Sequence, residues 1–324
     1  MIGITKLSQD EMSGWSVWHR RDPALHRRMQ STQPLWKEDL VVSKVELIAG
    51  TWTTAGDADA GNAENDRSPH SFQERIEVAA KAGFTGVGIG YLDLLEAEQQ
   101  YGFPTVKSML ADNGIAHLEL EFLENWFLTD ERRTAADEIR ENMFRAAEAL
   151  GARHIKVGGD FSGGEFDADH MAAEFVKLCT DASNAGTTVV FEPMPFVNVK
   201  TPQQALEFIA KADHPAGGLL IDIWHVARAG VDFDTLADIP AQYIFDVELD
   251  DAPLTFEGDL IADTFNGRRL PGEGELDVQG FVDAIRKTGY DGIYGVEILS
   301  AAYRKLPISE AVPAAYEATM KYLR

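Results

Sequence analysis

Four apolar runs in this chain each end on a carboxylate: Val189-Val190-Phe191-Glu192, Leu219-Leu220-Ile221-Asp222, Tyr243-Ile244-Phe245-Asp246-Val247-Glu248 and Ile293-Tyr294-Gly295-Val296-Glu297. A continuous hydrophobic run is the pattern of a strand buried on both faces of a parallel sheet. A charge at its tip is costly unless something pairs with it. Pro193 and Pro195 end the first run directly after its acid, because proline cannot donate to a sheet ladder. Four acids in equivalent positions point to one shared cation, since without it they would raise one another's pKa values. Glu192, Asp222, Glu248 and Glu297 are therefore the expected metal ligands. Hard oxygen donors favour Mg2+, Mn2+ or Ca2+ over a thiolate-seeking metal.

Other side chains could serve the same opening. His225 follows Asp222 by three residues, so from the adjoining loop it can reach back to orient a hydroxyl or supply a proton near neutral pH. His154 and Lys156 are read as alternating on the fourth strand, so that only one faces inward. Lys156 is the candidate for binding substrate oxygens, with burial as a counter-ion to the acids as the alternative. Glu119 and Glu121 share a face at a period of two, and one of them is a candidate supporting partner. Arg268 and Arg269 stand in a turn stiffened by Gly267, Pro271 and Gly272, a setting suited to gripping substrate oxygens bidentately.

The elements that must position these groups follow a repeated order of helix, glycine and short strand. Gly83, Gly114, Gly151, Gly186 and Gly289 each follow a helical pattern, where a left-handed cap favours glycine. The strands are expected at Val45–Trp52, Val87–Tyr91, Ala116–Phe122, His154–Gly158, Val189–Glu192, Leu219–Asp222, Ile244–Glu248 and Ile293–Glu297. The helices include one opened by a Ser71-x-x-Glu74 capping box, a short one at Asp234–Ile239 and a last one at Ile308–Leu323. Eight strands separated by helices indicate a single-domain α/β fold, a (β/α)8 barrel, over residues 44–324. The strand tips of such a barrel converge on one face. An open doubly wound sheet would carry a glycine-rich phosphate turn. Here Gly86-x-Gly88-x-Gly90 lies within a strand, with no helix expected directly after it. Specificity is expected from the loops 56–69, 126–133 and 251–266. Residues 1–43, with Trp15, Trp18, Trp36 and two basic clusters, read as an N-terminal arm. The arm is expected to pack on the barrel or on a neighbouring subunit of a homodimer or homotetramer.

Composition narrows the functions further. The 324 residues are 45% hydrophobic with a net charge of −24. That charge argues against a nucleic-acid partner, which requires Lys and Arg to replace counterions. No apolar stretch is long enough to span a membrane, and the first residues lack the pattern of a secretory signal. The single cysteine, Cys179, reads as a core residue, and the cytoplasm is the expected compartment.

Taken together, Phe191-Glu192-Pro193, Asp222-x-x-His225, Arg268-Arg269-Leu270-Pro271-Gly272-Glu273-Gly274 and Val296-Glu297-Ile298 resemble the xylose isomerase-like barrel superfamily, over roughly residues 44–300. That superfamily includes sugar and sugar-phosphate isomerases and epimerases. The resemblance implies a divalent metal, Mn2+ or Mg2+, chelating the carbonyl and adjacent hydroxyl of a keto-sugar or related polyol. It also implies Glu192 and Glu297 as the proton-transfer pair acting through a metal-stabilised enediolate. Members of the epimerase branch usually carry His or Gln as the third ligand. This chain has Glu248, with Asp246 and Asp250 on the same face. A lyase or dehydratase acting on a keto-inositol, dehydroshikimate-like or 3-keto-glycoside substrate would use the same groups and expel a β-substituent. A repair nuclease shares the barrel, but its histidine-rich, basic face is missing. A non-catalytic sugar-binding barrel would keep the pocket without exchanging protons.

Overall fold

The strands β1 (Leu47–Ala49), β2 (Gly86–Gly90), β3 (His117–Leu123), β4 (His154–Gly158), β5 (Thr188–Glu192), β6 (Gly217–Asp222), β7 (Ile244–Leu249) and β8 (Tyr294–Val296) form a closed barrel in chain order. Each is parallel to the next, and β8 returns to β1 through the pairs Leu47–Tyr294, Ile48–Gly295 and Ala49–Val296. This computed structural model describes residues 45–256 and 258–324. The arm assigned to residues 1–43 lies outside the described residues. Helices at Phe72–Ala82, Tyr91–Tyr101, Phe103–Asp112, Arg132–Leu150, Ala168–Asn184, Pro202–Ala212, Val278–Lys287 and Ile308–Leu323 clothe the barrel, with shorter ones between. Among the described residues no helix is long and apolar enough to cross a membrane.

The apolar core is the ring between strands and helices. It takes Val87 and Ile89, Leu118 and Leu120, Ile155 and Val157, Val189 and Phe191, Leu219 and Ile221, and Val247 and Leu249. Alternate residues of a strand point to opposite faces, so the residues between these pairs fill the lumen. The lumen is charged. Glu119, Glu121, His154, Lys156, Glu192, Asp222, Asp246 and Glu248 are all buried. Glycine on the other strands leaves room for them. A Cβ on Gly88 would meet Glu121 Oε1 at 2.7 Å, and one on Gly295 would meet Glu248 Cγ at 2.8 Å. The Gly86-x-Gly88-x-Gly90 pattern is thus a steric requirement of the lumen. A helix, Tyr91–Tyr101, does start directly after it, contrary to the sequence expectation.

Local signals hold in most places. Ser71 Oγ accepts the Glu74 N–H and caps its helix, and the five expected helix-ending glycines all have positive φ. β1 is shorter than expected because Thr51–Thr54 turns into helix after Gly50. That turn is tied to the end of β8: Thr53 Oγ1 donates to Val296 O at 2.6 Å and accepts the Ile298 N–H at 3.0 Å. The short helix expected at Asp234–Ile239 is the 3-10 helix Phe233–Asp238, and a further helix, Ile223–Arg228, follows β6 directly. Cys179 is buried in Ala168–Asn184, where burial pushes its thiol up to about 12.

His154 and Lys156 both face the lumen, since residues two apart on a strand share a face; the expectation that only one points inward is corrected. His154 Nε2 lies 3.1 Å from Glu119 Oε1 and 3.3 Å from Asp246 Oδ2. Burial alone would lower its pKa, but Glu119 and Asp246 outweigh it and raise the imidazole to about 9. The folded pKa therefore exceeds the unfolded value, and this stabilisation is complete below about pH 6.5 and lost as pH rises through about 9. The expected loss is up to roughly 1.4 kcal/mol per pH unit in that window. Between about pH 6.5 and about pH 9 the urea midpoint should fall more for the native protein than for His154→Gln; equal falls would remove this role.

Candidate active site and metal centre

Glu192 and Asp222 are the last residues of β5 and β6, Glu248 lies in β7, and Glu297 follows the last residue of β8. The register sets Asp222 beside Glu248 and Glu248 beside Gly295, two residues before Glu297, so the acids reach one rim from neighbouring strands at staggered heights. One carboxylate oxygen from each of the four lies within 4.8 Å of the others, and all four residues are buried. Burial first, and then Glu297, hold the Glu248 carboxyl well above the usual range, against the opposing pull of Lys156. Burial likewise raises Glu297, with Glu121 and Glu192 adding to it while Lys156 and Arg268 oppose. Burial would also raise Asp222, but the Arg268 guanidinium and His225 leave it below its ordinary value.

The donor set fits a divalent cation. Glu248 Oε2 is a buried acceptor without a hydrogen-bond partner, and such orphans are rare unless an ion or water completes them. An all-oxygen shell suits a hard cation. The residues that would hold it are Glu192, Asp222, Glu248 and Glu297.

Lys156 sits beneath this layer. Its ammonium donates to Glu248 Oε1 and lies 3.4 Å from Glu119, 3.6 Å from Glu297 and 3.7 Å from Glu121. It is fully buried and does not line the cavity above. Its expected contact with substrate oxygens is therefore corrected: enclosed by acids, it is their counter-charge.

Arg268 is inside the site and Arg269 is not. The Arg268 guanidinium donates to Asp222 Oδ2 at 2.6 Å and Asp250 Oδ2 at 2.7 Å, and stacks over Trp224 with 5.3 Å to the ring centroid. Arg269 is exposed, and its backbone pairs with Asp251. Consecutive extended residues point opposite ways, so only one of the two could enter.

Asp251 folds the loop that presents Arg268. Its carboxylate accepts N–H bonds from Ala252 (2.8 Å), Gly272 (2.9 Å), Gly274 (3.0 Å) and Leu276 (3.0 Å). Asp251→Ala is expected to cost about 2–4 kcal/mol by leaving these donors unpaired. Denaturant unfolding measures it; a loss within about 0.5 kcal/mol would mean the loop holds itself.

His225 owes its place to a cap. Asp222 Oδ1 accepts the His225 N–H at 3.1 Å and starts the helix Ile223–Arg228, as N-cap aspartates do. His225 Nε2 then stands 3.1 Å from Glu192 Oε1 and 3.3 Å from an Arg268 nitrogen.

Above the acids is a cavity of about 190 Å³. Glu192, Glu297, His225 and Arg268 form one part of its wall, and Glu121 and Glu124 another. Burial, then Asp160, raises the Glu124 carboxyl. Aromatic rings complete it, with Phe122 against Phe161 at 6.4 Å and Phe161 against Phe196 at 5.7 Å between centroids. Of the three loops expected to shape it, 56–69 contributes Ala60 and 251–266 contributes Thr264 and Phe265. The stretch 126–133 contributes no lining residue; Trp126 is buried and donates to Gly158 O. Glu124, Phe161 and Phe196 were not anticipated as pocket residues, although their position just past strand ends was an available signal. A larger groove of about 710 Å³ between the helices Arg132–Leu150 and Ala168–Asn184 lies outside this site.

Comparison with known proteins places this geometry in context. Residues 76–324 match the family described as xylose isomerase-like TIM barrel. The chain is 30% identical over 243 residues to the 3-dehydroshikimate dehydratase of Pseudomonas putida, covering 72% of this chain and 37% of that protein. It thus spans little more than a third of that relative. It is 23% identical over 189 residues to the inosose isomerase of Bacillus subtilis, covering 56% of this chain and 66% of that one. A solved structure described as IOLI protein with a binding zinc atom superposes with a TM-score of 0.75 at 20% identity, covering 86% of this chain and 98% of that one, a likeness of fold.

Proposed function

The chain belongs to the xylose isomerase-like TIM barrel family, and from that premise we propose that it is a divalent-metal-dependent isomerase or epimerase of a keto-sugar or related polyol. The convergence of four buried carboxylates beside the cavity is the observation that carries this reading. Mn2+ or Mg2+ held by Glu192, Asp222, Glu248 and Glu297 would supply Lewis-acid polarisation of a carbonyl and its neighbouring hydroxyl. Glu192 and Glu297 come from strands separated by β6 and β7, and both line the cavity. One takes the proton from the carbon beside the carbonyl and the other returns it from the far side. His225, beside Glu192, orients a substrate hydroxyl. Arg268 holds Asp222 in place, and the aromatic wall excludes water. The substrate is a small carbohydrate.

A lyase or dehydratase is the second reading, supported by the 3-dehydroshikimate dehydratase relative and by His225 as a proton donor to a departing hydroxyl. The test is turnover of keto-sugars in heavy water before and after chelation. An isomerase or epimerase conserves substrate mass apart from solvent deuterium, whereas a dehydratase loses water. Activity should vanish with a chelator and return with Mn2+ or Mg2+; full activity in metal-free protein would overturn the metal-dependent reading, and no deuterium exchange into any ligand would indicate a binding protein.

A further inference from the structure

The charge balance of the cavity bears on what can enter it. Its titratable lining is Glu121, Glu124, Glu192, Glu297, His225 and Arg268. Among the described residues that line it there is no lysine and no second arginine. Arg268 is already taken by Asp222 and Asp250 at 2.6 and 2.7 Å, and His225 faces Glu192 at 3.1 Å. The helix that starts beside the site, Ile223–Arg228, is capped by Asp222 itself, which takes the His225 N–H and sets a carboxylate at that end. Apart from the cation held by the four acids, a phosphate or carboxylate would thus find acids and no uncommitted cationic side chain. Hydroxyl groups would find acceptors in the carboxylates of Glu121 and Glu124. Trp52, Phe122, Phe161 and Phe196 offer apolar faces to the C–H side of a sugar or cyclitol ring.

We infer that this site takes an uncharged polyhydroxy ketone and rejects phosphorylated or carboxylated counterparts, with Glu121 and Glu124 setting the discrimination. The inference rests on the metal-dependent reading above and narrows its substrate class. Glu121 is fixed by the Thr51 N–H at 3.0 Å. Glu124 also lines the cavity, and neither acid is among the four spaced to hold the cation. One like charge about 6 Å away, at an effective dielectric of about 20–40, weakens binding about ten- to hundredfold.

The experiment uses the full chain loaded with Mn2+ and two matched probe pairs: D-allulose against D-allulose 6-phosphate, and a keto-inositol against 3-dehydroshikimate. Calorimetry reads the four dissociation constants, for the native protein and for Glu124→Gln. In each pair that binds, the uncharged member should bind at least about tenfold more tightly, and the variant should shrink that gap about threefold or more. Equal or tighter binding of the charged member, or conversion of 3-dehydroshikimate with loss of water, overturns the inference and leaves the metal-dependent reading standing. A metal-loaded protein that binds none of the four also overturns it. Metal content and chelator sensitivity, measured alongside, report on the underlying reading separately. The native protein alone decides the comparison if the variant does not fold.

Discussion

Glu297→Gln is expected to lower kcat by about a thousandfold or more, and Glu192→Gln by a similar factor. General acid–base catalysis contributes about 10² to 10⁴ in rate, and each of these carboxylates also counts among the four groups spaced to hold a cation. The two contributions separate experimentally. Bound metal, measured directly, shows how much affinity each substitution removes; kcat at saturating metal shows the loss in proton transfer. With one acid gone, the other still reaches the substrate from its own side. Exchange of the substrate proton with heavy water should therefore survive for one epimer and stop for its partner, with opposite choices in the two variants. Loss of exchange for both epimers in both variants, at full metal occupancy, would mean that they are not a two-sided pair. Asp222→Asn is a useful contrast. Asp222 binds Arg268 and caps the helix of His225, so it should disturb metal binding and the placement of both groups together.

Lys156→Met should destabilise the metal-free protein by about 3–5 kcal/mol, the usual result of removing one member of a buried ion pair. Burial alone would lower the Lys156 pKa, but Glu121, Glu248 and the other acids hold it well above its ordinary value. Its loss leaves those acids facing one another. Glu248→Gln alone removes the ammonium's nearest partner and leaves Lys156 less balanced. The double variant removes both charges and should recover at least about 2 kcal/mol relative to the sum of the single losses, a coupling expected only of groups in contact. Urea unfolding of the four metal-free proteins completes the cycle. Additive losses would show that the pair is not the balancing element of the lumen. Glu248 paired with Lys156 carries the net charge of a neutral side chain.

Much of the barrel was legible along the chain because its signals are local. An apolar run, a capping serine or a glycine after a helix acts within a few residues, so the eight strands and the Ile308–Leu323 helix lie close to their expected places. The acids at the strand tips were legible too, since a parallel barrel carries them to one rim whatever the intervening helices do. Asp222-x-x-His225 needed only a cap and one helical turn to be assembled.

Long-range packing decided the rest. Nothing adjacent in sequence distinguishes Arg268 from Arg269; the antiparallel bridge to Asp251 turns one inward and leaves the other exposed. Lys156 reads as a possible substrate contact until Glu119, Glu121, Glu248 and Glu297 are seen to surround it. Phe161 and Phe196 meet only because β4 and β5 are neighbours in the closed sheet. Secondary structure and strand-end chemistry are written in neighbouring residues, so this chain's sequence determined a barrel with an acidic rim. Which charges neutralise one another, and which side chains reach the cavity, depends on distances between residues far apart in the chain, and only closure of the barrel sets those distances.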